Sequence, residues 1–443
     1  MLLSAFYYIL KRIGILLAHV YYRITFVNRS NFKMPDGPCI MTINHPNTMM
    51  DIISIVPFIS RYTHFLANAG LFVNPIINRI LRKLWCIPIK RKSDTGSNVN
   101  NEDSFSECIR FLSGGGLLLI APEGSSRNER HVRPFRTGTA LIALRTEAEN
   151  NFNLGLKICP FGVTYDRPWQ FRSRIYVNAG KHVNVAAYRQ TYSENPELAI
   201  ALLTAELEEK TRAMTVDTED KTQEKLLSRL EILSNTSHFE DNGKWLNGLQ
   251  RFQNAQKLSK KLKELRNAQP ESYETLEKRT ASYFAKLRQL KISDYAMVLS
   301  KEPSATWSKA VFILLGLPFF VLGFLLNLIP ALLTELTWRM MRLEDYEATI
   351  RVVLGGLIFF PLSYGFCTAM LGGYFDLPFF GIIYWTVSIL LGIFAWDYFR
   401  TVGLFMKMFR IKFMRNNLLI DLLKSKSEIG LEKFLQSDNS FKG

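Results

Sequence analysis

The sequence predicts an α/β fold in which a mostly parallel sheet is flanked by helices, followed by a helical region and C-terminal hydrophobic membrane helices. Three observations predict this architecture. From residue 38 to about 185, apolar runs alternate with helical stretches, the pattern of a sheet that helices cover on both faces. From residue 192 to 299 the chain is charged and carries apolar residues at helical spacing. The last third contains three long stretches without a charged residue.

The predicted strands are short apolar runs bounded by turn residues. Because ligands of such sheets bind in loops beyond the carboxyl ends of the strands, we expect the functional site there. His45 and Glu123 both follow such ends. The five runs are Cys39–Ile43, Ile87–Ile89, Leu117–Ala121, Ile158–Val163 and Ile175–Val177.

Composition narrows the functional class. The chain has 443 residues, of which 48% are apolar and 13% aromatic, with a formal charge of +16. In a soluble protein this charge would suggest nucleic acid, but no nucleic-acid motif is present. Beside long apolar stretches, the cations favour anionic lipid headgroups and phosphorylated substrates. The five cysteines are odd in number and form no closely spaced pair, which disfavours disulfides or a zinc site and indicates a reducing compartment.

The chain divides into five predicted segments. The first is an amphipathic helix, interrupted by Lys11-Arg12, that we expect in the lipid headgroup region; the alternative is a helix packed on the catalytic domain. The charged helical region is expected to pack as helices rather than as a coiled coil, because Gly243 and Pro270 interrupt it. The segments are residues 1–24 (amphipathic helix), 25–191 (catalytic domain), 192–305 (helical region), 306–403 (membrane segments) and 404–443 (basic tail).

The charge-free stretches 310–334, 352–375 and 377–396 are membrane segments flanked by basic residues. If every basic cluster faces the cytoplasm, the second and third segments form a hairpin and the first must enter and leave on one side. We therefore hypothesise a re-entrant first segment in an integral membrane protein whose catalytic domain is cytoplasmic. Residues that would permit the bend are Pro318, Asn327 and Pro330; the flanking cations are Arg339, Arg342, Arg351, Arg400, Lys407, Arg410 and Lys412.

The candidate chemistry centres on residues 42–51. An apolar strand leads to His45 on a Pro/Asn turn, and Asp51 follows where a helix should begin. A general base needs a rigid strand to hold it, a loop to expose it and an acid to fix its tautomer. The structural alternative is a histidine hydrogen-bonded in a turn and an aspartate that caps a helix.

Three further stretches carry polar groups at predicted strand ends. Residues 86–92 end in Lys90, Arg91 and Lys92, which suits a phosphate, since arginine can bind it through two parallel hydrogen bonds; a solvated basic loop is the alternative. The strand at 117–121 opens into Glu123, Gly124, Ser125, Ser126 and Arg127, where amides and hydroxyls can bind anionic oxygens. A basic run follows (Arg130, His131, Arg133 and Arg136), and the strand at 159–165 contains Pro160.

Taken in order, these four stretches resemble the blocks of the glycerolipid acyltransferase superfamily, whose members esterify glycerol phosphate and lysophospholipids. The blocks are Asn44–Asp51, Pro88–Arg91, Pro122–Arg127 and Pro160, and the likeness spans about residues 38–180. The chain is most similar to the branch that contains fungal-type glycerol-3-phosphate/dihydroxyacetone-phosphate acyltransferases and their bacterial relatives. That likeness depends on the sequence 45–47 and on the stretch 171–174.

The chain departs from the superfamily pattern in three places. Five residues separate His45 from Asp51, where the superfamily usually has four. Trp85 stands where glycine is usual, which would narrow the pocket, and Arg127 lies one position later than the usual arginine.

The resemblance implies a direct acyl transfer. His45 would take the proton from an acceptor hydroxyl that attacks an acyl thioester, and Asp51 would orient the imidazole, with no acyl-enzyme. Gly124 and its neighbours Ser125 and Ser126 would bind the thioester oxyanion or the acceptor, Glu123 would shape their loop, and Pro160 would belong to the substrate-binding set. Arg91 and Arg127 would hold the phosphate, with Lys90 secondary.

The partners implied are an acyl-CoA or acyl carrier protein donor, a phosphorylated glycerol or lysolipid acceptor and the bilayer, with no metal, no other cofactor and no nucleic acid. Three alternatives stay open. They are acylation of an amino-acid-containing lipid, a non-enzymatic membrane scaffold, and a transporter, which the absence of charges at mid-span disfavours.

Overall fold

The computed structural model describes residues 2–83, 85–90, 101–341, 343, 346–374 and 379–436. Arg91 and Arg342 therefore lie outside the described residues. The chain forms two compact units, Met1–Asp217 and Thr218–Gly443.

The first unit contains one eight-stranded sheet. Its strands are β1 (Tyr22–Val27), β2 (Cys39–Ile43), β3 (His64–Asn68), β4 (Cys86–Ile89), β5 (Leu117–Ile120), β6 (Lys157–Tyr165), β7 (Ser173–Ala179) and β8 (Val183–Asn184). They lie in the order β1-β7-β6-β2-β5-β3-β4, with β8 beside β6. The pairs β6–β7 and β6–β8 are antiparallel and the other pairs are parallel, so the predicted mostly parallel sheet is confirmed.

Helices cover this sheet. Leu112, Leu144 and Leu203 come from three different helices and pack with Ile40 and Leu118 of the central strands in one apolar core. The helices of the unit are α1 (Leu2–Tyr21), α2 (Thr48–Ile55), α3 (Pro75–Lys83), α4 (Glu102–Ser113), α5 (Gly138–Glu149), α6 (Arg189–Glu194) and α7 (Pro196–Met214). The unit extends past residue 191 because α7 buries its leucines against this core.

Helix α1 has two apolar sides. Tyr7, Ala18 and Tyr21 are buried, and the helix packs against α2 and β1. Phe6 and Ile9 are exposed on its surface. The helix therefore packs on the catalytic domain, as one sequence hypothesis had it, and also keeps exposed apolar side chains of the kind that an interfacial helix requires.

The second unit begins with four packed helices whose ends carry clear sequence signals. Asp220, Asn247 and Ser293 cap three of their N-termini with side-chain hydrogen bonds. Gly243 ends the first helix in a left-handed conformation, and Pro270 opens the third. The helices are α8 (Lys221–Asn242), α9 (Gly248–Ala268), α10 (Pro270–Gln289) and α11 (Asp294–Ser300).

Three of the described helices are long and apolar enough to cross a membrane. They are α12 (Pro303–Met341), α13 (Glu347–Gly372, π-helical over Arg351–Phe359) and α14 (Phe380–Lys412). Two shorter helices follow, α15 (Asn416–Ser427) and α16 (Leu431–Gln436).

The hypothesis of a re-entrant first segment does not fit helix α12. This helix runs without interruption through Pro318 and Pro330, whereas re-entry needs a reversal of the chain within it. Helix α14 packs along it in the opposite direction: Tyr398 donates its hydroxyl to the Ile313 carbonyl at 2.9 Å, and Asn327 Nδ2 donates to the Ser388 carbonyl at 3.1 Å. The start of α12 is therefore level with the end of α14, and the cations in the last turns of the two helices, Arg339 in α12 and Arg410 and Lys412 in α14, lie at opposite ends of the pair.

The chain segments before α12 and after α14 meet. Helix α15 packs against α10, where Lys286 Nζ lies 2.8 Å from Asp421 Oδ2. Lys426 Nζ lies 3.2 Å from Asp294 Oδ1 and 3.3 Å from Glu240 Oε2. These ion pairs join the C-terminal segment to the helices that precede α12.

Candidate active site

His45 and Asp51 meet at the carboxyl end of β2. His45 Nδ1 lies 2.8 Å from Asp51 Oδ2, and the His45 side chain is 15% exposed while that of Asp51 is fully buried. A carboxylate beside Nδ1 fixes the proton on that nitrogen and leaves Nε2 as the basic atom. Within the described residues, no hydrogen bond engages Nε2, so it is available to a substrate.

The loop between these residues accommodates the extra residue through a left-handed turn. Thr48 has a φ of 43°, and its backbone amide donates to Ser126 Oγ at 2.8 Å. The Asn47 amide donates to Asp51 Oδ2 at 2.9 Å, which caps the start of α2 and orients the carboxylate. Asp51 therefore accepts the amide of the N-cap residue Asn47 and is also the partner of His45, whereas the structural alternative had Asp51 itself as the N-cap.

Strand β6 supplies a second support for Asp51. Tyr165 is buried and donates its hydroxyl to Asp51 Oδ1 at 2.7 Å. Burial and the neighbouring Asp51 charge raise the pKa of Tyr165 well above its ordinary value, so it stays a donor. The Tyr22 ring packs edge-on against Tyr165, and its hydroxyl accepts a hydrogen bond from Asn47 Nδ2 at 3.1 Å.

Glu123 joins the loop after β5 to the loop that carries the base. Its Oε1 accepts the His45 amide at 3.2 Å, and its Oε2 accepts from Arg133 Nε at 3.0 Å and from Nη2 at 2.8 Å. Burial raises the pKa of Glu123, and the Arg133 guanidinium opposes that rise. Glu123, which the sequence predicted to shape this loop, thus contacts both the His45 amide and the Arg133 side chain.

The two serines hold the same loop together. Ser125 accepts hydrogen bonds from Arg133 Nη1, at 2.6 Å to its hydroxyl, and from Nη2 to its carbonyl. Ser126 Oγ accepts the Thr48 amide. In both cases the hydroxyl oxygen accepts from the protein, which leaves its own proton to donate to a ligand.

The basic run 130–136 is largely tied to carboxylates and carbonyls. Arg130 is buried and donates through Nε to the Tyr165 carbonyl at 3.1 Å. Asp217 Oδ1 accepts the Val132 amide at 2.7 Å and lies 3.6 Å from His131 Nδ1. These contacts fix the backbone of the run on the sheet and on the end of α7.

The remaining predicted site residues fall into three groups. Arg127 and Lys90 are exposed; the backbone of Arg127 donates to the His45 carbonyl at 3.3 Å, which places it beside the base. Arg91 lies outside the described residues. Pro160 pairs with Thr42 inside the sheet and accepts the Gly180 amide at 2.8 Å, so no described contact brings it to His45.

Trp85 also has a structural explanation. Its φ is 62°, a left-handed conformation that glycine adopts without strain, which accounts for the usual glycine at this place. Its ring packs edge-on against Tyr7 of α1 with ring centroids 4.7 Å apart.

No group of three or more metal-ligating side chains occurs among the described residues. The thiols of Cys39 and Cys159 approach to 3.0 Å on neighbouring strands and both cysteines are free, although nothing in their sequence spacing indicates proximity.

Sequence reasoning missed Tyr165, Arg133 as the partner of Glu123, and Asn44. Asn44 exchanges two hydrogen bonds with the backbone of Val163, at 2.9 and 2.7 Å, and so extends the β2–β6 pairing up to the base. All three lie inside or next to the recognised blocks, but their roles depend on strand register, which no block encodes.

Comparison with known proteins gives consistent similarities. The family described as Acyltransferase matches residues 23–164. Over 126 residues the chain is 27% identical to a chloroplastic 1-acyl-sn-glycerol-3-phosphate acyltransferase of Brassica napus, covering 28% of this chain and 35% of that protein. Over 101 residues it is 27% identical to glycerol-3-phosphate O-acyltransferase 1 of Saccharomyces cerevisiae, covering 23% of this chain and 13% of that protein.

A solved structure is also similar. The crystal structure of the 1-acyl-sn-glycerophosphate (LPA) acyltransferase PlsC from Thermotoga maritima aligns with 45% of this chain and 76% of that chain, at 18% identity and a TM-score of 0.33.

Proposed function

Residues 23–164 form an acyltransferase-family domain, as the four sequence blocks predicted, and from that premise we propose that this chain is a membrane-bound O-acyltransferase. It transfers a fatty acyl group from a thioester to glycerol 3-phosphate or to a lysophospholipid such as 1-acylglycerol 3-phosphate, in phospholipid synthesis. The observation that carries the proposal is the contact of His45 Nδ1 with the buried Asp51 carboxylate at 2.8 Å.

The proposed reaction is one general-base step. His45 Nε2 takes the proton from the acceptor hydroxyl as its oxygen attacks the thioester carbon. The carbon–sulfur bond breaks, the ester forms, and the imidazolium returns the proton to the thiolate, which leaves as a thiol. Asp51 holds the tautomer and stabilises the imidazolium, so no covalent enzyme intermediate is needed.

The loop after β5 supports the other charges of this reaction. The amides and serine hydroxyls around Gly124 can donate to the thioester oxygen as it becomes an oxyanion. Arg127, exposed beside the His45 carbonyl, is suited to the acceptor phosphate, with Arg91 and Lys90 as further candidates from the sequence. Acyl-CoA or acyl carrier protein would supply the thioester.

The membrane arrangement is part of the proposal. Because the segments before α12 and after α14 join through ion pairs, they lie on one side of the bilayer, which requires an even number of crossings. Helices α12 and α14 supply two. Helix α13 contacts the halves of α12 and α14 that lie farther from these segments: the Tyr364 hydroxyl donates to Asn327 Oδ1 at 2.5 Å, and Trp385 Nε1 donates to Thr368 Oγ1 at 3.2 Å. Helix α13 would therefore enter the bilayer from the side opposite to these segments and return to that side without crossing.

We infer from charge that the side of the bilayer with the start of α12 and the end of α14 is cytoplasmic. Four cations, Lys407, Arg410, Lys412 and Arg415, lie at or directly after the end of α14. They outnumber the three that end the first apolar segment or open the second in the sequence, Arg339, Arg342 and Arg351. Within the described residues before α12 no helix is long and apolar enough to span. The catalytic domain would then be cytoplasmic, as the sequence suggested, with different segments crossing.

The direct test uses the purified full chain in lipid nanodiscs with both donor types and a panel of acceptors, read as lipid product. Wild type should acylate a phosphorylated glycerol or lysolipid. His45→Ala and Asp51→Asn should reduce transfer by about 10³-fold or more while leaving the thermal unfolding midpoint close to wild type. Transfer by either variant at the wild-type rate would remove the general-base assignment. Absence of transfer by wild type for every acceptor would favour a scaffold.

A further inference from the structure

The basic run 130–136 contains an arginine, Arg136, whose charge no described carboxylate compensates. Arg133 is paired with Glu123, and Arg130 is buried against strand-end carbonyls. Arg136 is exposed, and no described carboxylate lies within ion-pair distance of its guanidinium. We propose that Arg136 binds the phosphoryl group of the acceptor, an assignment that rests on the proposed acyl transfer.

The Arg136 side chain lies next to Gly124. A Cβ atom on Gly124 would lie 2.7 Å from Arg136 Nε and 2.9 Å from its Cδ and Cζ, so the side chain lies directly across the glycine. The Arg136 amide also donates to the Pro122 carbonyl at 2.9 Å. The guanidinium therefore lies beside the loop whose Glu123 carboxylate accepts the His45 amide.

The local electrostatics favour a doubly charged anion. Arg133 compensates the charge of Glu123, so the positive charge of Arg136 is not cancelled within the loop. Helix α5 begins two residues later at Gly138, has no acidic residue in its first turn, and its N-cap Thr137 makes no side-chain capping bond. The positive end of the helix dipole thus adds to the arginine, and a planar guanidinium can bind two phosphoryl oxygens at once.

Geometry also favours the acceptor over the donor. In a glycerol phosphate the attacked hydroxyl and the phosphoryl group share one glycerol backbone, so both must lie close to His45. In acyl-CoA the long pantetheine arm separates the phosphates from the thioester. A cation one loop away from the base therefore suits the acceptor phosphoryl, which two sources can present: soluble glycerol 3-phosphate and bilayer-borne 1-acylglycerol 3-phosphate.

The experiment compares Arg136→Gln and Arg136→Lys with wild type in the full chain in nanodiscs. Loss of a charged two-bond contact should raise the acceptor KM by about 30-fold in Arg136→Gln and less in Arg136→Lys, with kcat nearly unchanged. The KM is measured in parallel for glycerol 3-phosphate and for vesicle-borne 1-acylglycerol 3-phosphate. The acceptor whose KM rises in the variant is the one whose phosphoryl group Arg136 binds. A rise in the acyl-CoA KM alone would overturn the assignment to the acceptor.

A matched control is Arg110→Gln. Arg110 is also exposed, but it lies at the end of α4 just before β5 begins. It is therefore near the amino end of β5, whereas the site lies at the carboxyl end. Its substitution should leave every KM unchanged.

A second arm tests the contact with Gly124. Gly124 has a φ of 72°, so alanine there crowds the Arg136 side chain and also strains the loop backbone. Gly124→Ala should raise the acceptor KM while the arginine is still present. If it acts through Arg136, the double variant Gly124→Ala/Arg136→Gln should be no worse than Arg136→Gln alone. Fully additive effects would contradict that mechanism.

A third readout does not depend on activity. Inorganic phosphate should raise the thermal unfolding midpoint of wild type and of Arg110→Gln, but not that of Arg136→Gln. Phosphate stabilisation that survives in Arg136→Gln would overturn the phosphoryl site even if acyl transfer is established. Stabilisation lost only in Arg136→Gln would uphold the site even if the acceptor proves to be different.

Discussion

Tyr165 donates its hydroxyl to Asp51 Oδ1 at 2.7 Å, while the other carboxylate oxygen of Asp51 faces His45 Nδ1 at 2.8 Å. The two contacts fix the rotation of a fully buried carboxylate between the end of β6 and the loop after β2. Because Tyr165 belongs to a strand that is hydrogen-bonded to β2, the sheet itself sets the direction in which the imidazole points.

Substitution of Tyr165 by phenylalanine should therefore impair catalysis more than binding. The variant loses a hydrogen bond to a buried carboxylate, worth about 2 kcal/mol, so we expect kcat to fall about 30-fold with little change in KM. Steady-state kinetics with both substrates will measure kcat and KM separately.

Tyr283→Phe is the matched control. Tyr283 is buried and donates its hydroxyl to Asp294 Oδ1 in the second unit, so it offers the same chemistry away from the base. Its loss should lower the thermal unfolding midpoint and leave kcat unchanged. Equal kinetic effects in both variants would show that Tyr165 acts only through stability.

The sequence could predict that His45 and Asp51 meet but not that Tyr165 joins them. A strand, a turn and a helix start bring the two residues together locally, since only five residues lie between them. Tyr165 is more than a hundred positions from Asp51, and its role appears only when β6 pairs with β2 in register. The same holds for Glu123, whose strand end was predictable but whose partner Arg133 was not.

The Glu123–Arg133 pair makes a second prediction. The Glu123 side chain is 2% exposed and that of Arg133 is 16% exposed, so Arg133→Met leaves a buried carboxylate without its counter-ion. We expect the free energy of unfolding to fall by about 3 kcal/mol and transfer to fall with it, because Glu123 also holds the His45 amide. Chemical denaturation and product formation measure the two effects.

The double variant Glu123→Gln/Arg133→Met provides the control. Removing both charges avoids the isolated buried carboxylate, so this variant should be more stable than Arg133→Met alone. A double variant that is less stable than Arg133→Met would mean that the ion pair is not the main contribution of these two residues.

The packing of the three apolar helices could not be predicted from the sequence. Length and hydropathy identified all three apolar segments, since both are local properties. The sequence analysis selected the first segment, 310–334, as the one that does not cross, because of the cations that flank the three segments. The arrangement that we propose rests on long-range contacts, such as Lys426 with Asp294 and Asn327 with Ser388, and no local pattern encodes them.

This arrangement makes a third prediction, which single cysteines will test in a background whose accessible native cysteines are replaced. Glu302→Cys and Arg415→Cys should react with an impermeant maleimide from the same side of a sealed vesicle. Met341→Cys should react from the opposite side. Gly373→Cys, at the end of α13, should share the side of Met341→Cys. Labelling of Gly373→Cys from the side of Glu302→Cys would mean that α13 crosses, and labelling of Met341→Cys from that side would restore the re-entrant first segment.

His64 makes a prediction about the stability of the catalytic sheet. It lies on β3, with its ring centroid 3.9 Å from that of Phe111, and burial lowers its pKa to about 4. In the unfolded chain the same imidazole has a pKa of about 6.5. Between these two values the unfolded state binds the proton and the folded state does not. The free energy of unfolding is therefore unaffected by His64 above about pH 6.5 and decreases as the pH falls from there toward about 4.

His64→Phe keeps the aromatic contact with Phe111 and removes the titration. The difference in thermal unfolding midpoint between the variant and wild type should be constant above about pH 7 and should grow in favour of the variant as the pH falls below about 6.5. The cause is loss of hydration rather than a neighbouring charge, so raising the salt concentration should leave the trend unchanged. Parallel curves for the two proteins from pH 7 to pH 5 would contradict the prediction, and a trend abolished by salt would assign it to a charge.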